Sequence, residues 1–80
     1  MRLPRDVSGH QFAKTLSKVG YQVTRETGGH IRLVNRSKGE HCITIPALSA
    51  LRLGTLAAVL ADVAGRLKLD RDTVVRRLFG

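Results

Sequence analysis

The run Gly28-Gly29-His30-Ile31-Arg32 places a histidine and an arginine directly after two residues that have no side chains. A free imidazole titrates near pH 6.5, so it can take or give a proton at neutral pH without a cofactor. In RNA cleavage such a group deprotonates the 2′-hydroxyl that attacks the adjacent phosphate, or protonates the leaving oxygen. DNA has no such hydroxyl. The glycines let a phosphate approach the backbone and accept N–H hydrogen bonds. Arg32 can hold a phosphate or stabilise developing negative charge. Glu26, across the strands, can orient His30 or stabilise its protonated form. The same residues are also compatible with an inert surface histidine beside a turn.

The other reactive side chains promise less. His10 falls in the first turn of a helix, where it can bind a phosphate or simply face solvent. His41 reads as a structural or rim residue opposite Asn35. Histidines at 10, 30 and 41 lack the close spacing of metal ligands, so no metal and no cofactor is expected. Cys42 has no activating neighbour in sequence and, as the single cysteine, allows no internal disulfide framework.

These residues need a scaffold, and periodicity supplies one. Ser8 with Gln11 makes a capping box, and Phe12, Leu16 and Val19 then recur at helical spacing until Gly20, predicting a helix over 9–19 with Lys14 and Lys18 outside. Arg2 and Arg5, around Pro4, form a basic arm before it. From Tyr21 to Pro46 the period changes to two, and YQVTRE, HIRLV and EHCITIP read as three antiparallel strands.

Parity sets the expected register. A Ser37-Lys38-Gly39 loop pairs Arg36 with Glu40, Leu33 with Ile43 and Ile31 with Ile45, gathering the apolar residues on one face. A Thr27-Gly28-Gly29 loop buries Tyr21 and Val23 and pairs Glu26 with His30, Thr24 with Arg32 and Gln22 with Val34. The opposite, open face then carries Gln22, Thr24, Glu26, His30, Arg32, Val34, Cys42, Thr44 and Pro46. Leu56, Val59, Leu60, Val63 and Ala64 stripe a second helix that ends near Gly65 and covers the buried face beside the first. Asp70 caps a short closing helix with Val74, Val75, Leu78 and Phe79 on its apolar side. The expected fold is α/β in the α+β sense: α-β-β-β-α with a three-stranded antiparallel sheet and a short extra C-terminal helix.

Eighty residues suit one domain over 1–80 with a single core. Lys and Arg number 14 against 6 Asp and Glu, a formal charge of +8, which favours a polyanionic partner. Nucleic acid is the commonest; an acidic protein or anionic lipid fits the same charge. Lys14, Lys18, Arg25, Arg36, Lys38 and Arg52 are the candidate RNA-binding residues, since a helix, a hairpin loop and the start of a following helix can track phosphates across double-stranded RNA. Arg66, Lys68, Arg71, Arg76 and Arg77 fit a solvated helix face equally well. No signal peptide or membrane anchor is visible, so a soluble cytoplasmic protein without a membrane partner is expected.

The element order resembles a double-stranded RNA-binding domain. In detail the chain resembles the HicA (YcfA-like) mRNA interferase toxins over nearly its whole length: LPRDVSG, KVGYQVTRETGGH, the strand ending in ITIP, and LRLGTLAAVLADVAG. Gly28-Gly29-His30 stands where the family has G-(S/G)-H. Gly54-Thr55-Leu56 with Val59 and Leu60 stands at its G-T-L motif, stretched by one residue before Ala64-Gly65. The resemblance implies a small cytoplasmic endoribonuclease of a type II toxin-antitoxin system that cleaves mRNA. It further implies His30 as catalyst, no metal, and a HicB-like antitoxin that covers the active surface. The family's R-Q-(K/R)-G-S-H becomes Arg25-Glu26-Thr27-Gly28-Gly29-His30 here. Leu48 replaces a histidine often found after the third strand, and Ala57, Ala58 and Ala61 replace basic residues. The alternatives are a non-catalytic RNA-binding module of the same fold and a basic protein-interaction domain.

Overall fold

The capping box closes as its spacing predicts: Ser8 Oγ accepts from the Gln11 N–H at 3.0 Å, and Gln11 Oε1 accepts from the Ser8 N–H at 2.9 Å. In the computed structural model, which describes residues 3–80, helix α1 spans Gly9–Leu16 and tightens into a 3₁₀ turn, Ser17–Val19, before Gly20. Arg2 of the expected basic arm lies outside the described residues. Phe12, Ala13 and Leu16 form the buried stripe of α1.

Strands β1 (Tyr21–Thr27), β2 (His30–Asn35) and β3 (His41–Pro46) make an antiparallel sheet in chain order. The second hairpin has the expected register, with Leu33 opposite Ile43, Ile31 opposite Ile45 and Asn35 opposite His41, but the ladder ends there: the expected Arg36–Glu40 pair is replaced by a wider loop in which Ser37 and Gly39 form an isolated bridge. Ile31, Leu33, Ile43 and Ile45 are all buried. Val34 corrects the expectation of an open-face position in solvent. It sits on the central strand between Gln22 and Cys42, and with a neighbour on each side it is buried.

Helix α2 runs Leu53–Leu67, two residues beyond Gly65, and the chain leaves it at Lys68, whose φ is 57°. The extra half-turn is anchored: the Arg66 guanidinium donates to the carbonyls of Lys38 and Gly39 in the β2–β3 turn, and Leu67 packs against the core. Those contacts outweigh the roughly 1 kcal/mol that glycine costs inside a helix. Asp70 Oδ1 then accepts from the Thr73 N–H at 2.8 Å and opens α3, Arg71–Phe79. The order α-β-β-β-α-α and the α+β class agree with the expectation. The three helices and the sheet close on one cluster that includes Phe12, Tyr21, Leu33, Leu60 and Leu78.

Candidate functional site

The turn before His30 is shorter than expected. Gly28 and Gly29 both take positive φ, 55° and 82°, the requirement of a two-residue type I′ hairpin turn. The turn therefore pairs Thr27, rather than Glu26, with His30. A two-residue turn by itself would move Tyr21 off the core face. The register instead shifts between Val23 and Arg25, leaving Thr24 as an extra residue, and this bulge returns Tyr21 to complete burial. Val23, expected in the core, stands on the outermost strand just before that bend and is 52% exposed.

Turn and bulge together re-sort the face that carries the histidine. Arg25, rather than Thr24, lies opposite Arg32, and Glu26 lies opposite the buried Ile31. Glu26 thus belongs to the helix side of the hairpin, where its carboxylate accepts a hydrogen bond from His10 Nε2 at 2.9 Å. The expectation that Glu26 orients His30 is corrected: it holds His10. One row of the open face reads Thr27, His30, Pro46 and the next reads Arg25, Arg32, Thr44. His30, Arg25 and Arg32 are exposed, and their side chains have no hydrogen bond or ion pair among the described residues.

Main-chain bonds fix what surrounds His30. The Ala47 N–H donates to the Gly29 carbonyl at 2.7 Å, the Gly9 N–H to the Leu48 carbonyl at 2.9 Å, and the Leu51 N–H to the Val7 carbonyl at 2.7 Å. The first turn of α1, the Gly-Gly turn and the segment leading into α2 therefore share one end of the sheet. Arg52, the residue preceding α2, is at this end as well. Arg36 and Lys38 belong to the opposite end, five residues along β2, or roughly 17 Å away. Lys14 is exposed on α1. Lys18 donates to the Leu78 carbonyl at 3.1 Å, so it tethers α3. The six expected RNA-binding residues therefore do not form one continuous track.

The far end is organised for stability. Tyr21 Oη and His41 Nδ1 are 2.8 Å apart, and His41 Nε2 lies 3.4 Å from Asp62. Burial, reinforced by the Asp62 carboxylate and partly opposed by Arg66, pushes the Tyr21 phenol up from its ordinary value. His41 is thus the rim residue expected of it. Asn35, completely buried, accepts from the backbone N–H and hydroxyl of Ser37 and donates to the Val19 carbonyl at 3.0 Å. Sequence reading missed both: Asn35, two residues before Ser37, carries the signal of an Asx turn, whereas Arg66 carries no local signal of its contact with the β2–β3 turn. Cys42 is exposed and its thiol donates weakly to Glu40 at 3.6 Å.

Among the described residues no three His, Cys, Asp or Glu side chains gather as metal ligands, and no helix is long and apolar enough to cross a membrane. Compared with protein families, curated proteins and solved structures, the chain matches none.

Proposed function

We propose that the chain is a HicA-like mRNA interferase: a metal-independent endoribonuclease toxin of the cytoplasm, restrained by a HicB-like antitoxin that covers its active surface. The supporting observation is the setting of His30. Its imidazole is exposed and, among the described residues, unpartnered beside a side-chain-free turn, and the two open-face rows nearest to it contain two arginines and no carboxylate.

In this reading His30 removes the proton from a 2′-hydroxyl, and the resulting oxygen attacks the adjacent phosphorus. The bond from phosphorus to the 5′ oxygen breaks, leaving a 2′,3′-cyclic phosphate and a 5′-hydroxyl. The leaving oxygen gains its proton from protonated His30 or from water. Arginine charge next to the phosphate stabilises the negative charge that builds on it. No step requires a metal.

Purified parent and His30→Ala proteins, each incubated with single-stranded RNA, test the reading. The parent should generate cyclic-phosphate ends, and loss of a general acid–base group should slow this by about 10²-fold or more. Both should melt at the same temperature, because residue 30 is exposed. Equal cleavage by the two removes His30 as catalyst. Salt-dependent RNA binding without cleavage by either favours the non-catalytic module, a reading supported by the lack, among the described residues, of any side chain bonded to His30. The antitoxin is tested by whether the adjacent reading frame encodes a small protein that rescues growth on co-expression.

A further inference from the structure

We infer that Arg25 and Arg32 form a two-arginine seat for one phosphodiester of single-stranded RNA on the open face of the sheet. Residues directly opposite across antiparallel strands have Cβ atoms about 5 Å apart, and like charges placed there repel. Acidic neighbours would ordinarily relieve such a pair. Here the nearby Glu26 is turned to the other face and bonded to His10, Glu40 is near Cys42 at the far end, and Asp62 is beside His41. The two guanidiniums are left exposed and unpartnered among the described residues, with the hydroxyl-bearing Thr44 on the next strand.

A phosphate is the anion whose geometry suits this arrangement, because each guanidinium offers a planar fork of donors to its oxygens. The backbone irregularity fits the same purpose. A three-residue turn without a bulge would place Arg25 on the helix side and Glu26 beside His30. The two-residue turn brings Arg25 to the open face, and the bulge at Thr24 keeps Tyr21 in the core while it does so. Bulges commonly re-aim a side chain beside a binding site.

His30 stands one row along β2 from Arg32, about 6.6 Å away by strand geometry. A phosphate on the seat therefore brings the sugar on its 5′ side, which carries the attacking 2′-hydroxyl, within reach of the imidazole. That catalytic consequence rests on the function proposed above; the seat itself does not.

Binding and cleavage are measured separately. A short labelled 2′-O-methyl RNA, which cannot be cleaved by this route, is titrated with parent, Arg25→Gln, Arg32→Gln and the double variant over a range of salt. Arg71→Gln, exposed at the start of α3, controls for net charge. Each seat variant should weaken binding about 5- to 10-fold and reduce the salt slope by about one. The double variant should lose less than the product of the two, because both arginines hold the same phosphate. Arg25→Lys should bind with intermediate affinity, keeping the charge and losing the fork. If the seat variants bind no worse than Arg71→Gln, the seat is refuted, even if the parent cleaves RNA. If they show the expected losses while the parent leaves cleavable RNA intact, the seat stands and the catalytic reading falls. Polyglutamate that binds with the same arginine dependence, where 2′-O-methyl RNA does not bind, would assign these residues to an acidic protein and overturn the proposal.

Discussion

Gly9→Ala and Gly65→Ala make the same chemical change in two helices and should move stability in opposite directions. Gly9 is buried at the start of α1, and an added Cβ would lie 2.2 Å from the Pro46 carbonyl oxygen and 3.1 Å from the Ala47 Cα. Those are backbone atoms, so no side-chain rotation relieves the clash. Either the helix start moves away, stretching the hydrogen bond from the Gly9 N–H to Leu48, or residues 46–48 move, loosening the bond from Ala47 to Gly29. Overpacking costs about 1–3 kcal/mol and a weakened hydrogen bond about 0.5–1.5 kcal/mol. Alanine returns roughly 0.5–1 kcal/mol in helix propensity. The net loss is about 0.5–4 kcal/mol, set against a total of roughly 4–12 kcal/mol expected for a chain of this size. At about 4–8 °C per kcal/mol, Tm should fall by at least about 2 °C. Gly65 is exposed inside α2, and a Cβ there meets nothing within 4 Å, so its substitution should raise Tm by a few degrees. Thermal melts followed by circular dichroism read both variants. A Gly9→Ala protein that melts at or above the parent would refute the close packing of α1 on residues 46–48.

Tyr21→Phe should cost about 0.5–1.5 kcal/mol in urea unfolding, because it removes the hydrogen bond to His41. The Tyr21 phenol is pushed up chiefly by burial, so folding favours its neutral form. That contribution is complete below pH 10 and is lost as pH rises through the raised value; with one tyrosine in the chain, phenolate absorbance reports it directly. Asp70 is held below its ordinary value by the Thr73 N–H and then by the Thr73 hydroxyl. Its stabilising contribution is therefore present above about pH 3.8 and lost as pH falls through the lowered value, and Asp70→Ala should flatten that limb of an acid-unfolding curve. Glu26→Gln should leave the proposed RNA cleavage unchanged while shifting stability by no more than about 1 kcal/mol, since its partner is the exposed His10. A large fall in cleavage with an unchanged melt would restore Glu26 to the His30 site.

The same division separates what was legible in the sequence from what was not. Element order, the Ser8 and Asp70 caps and the register of the second hairpin follow from local residue types and from the need to bury Ile31, Leu33, Ile43 and Ile45 together. The first hairpin obeyed two local rules that a regular ladder cannot satisfy at once: Gly-Gly favours a two-residue turn, and Tyr21 needs the core. Parity counting met the second rule by lengthening the turn, whereas the fold met both with a bulge at Thr24, a residue whose type gives no sign of one. Every open-face assignment on β1 from Thr24 onward changed as a result.

By itself the sequence determined the α+β order, the excess of positive charge and the exposed His30 after two glycines, because each depends on composition or on neighbours a few residues away. Only the tertiary structure decided that Glu26 binds His10, that Arg25 joins Arg32, and that Arg36 and Lys38 lie at the other end of the sheet. Those facts depend on how distant segments pack, and one extra residue in a strand is enough to exchange its two faces.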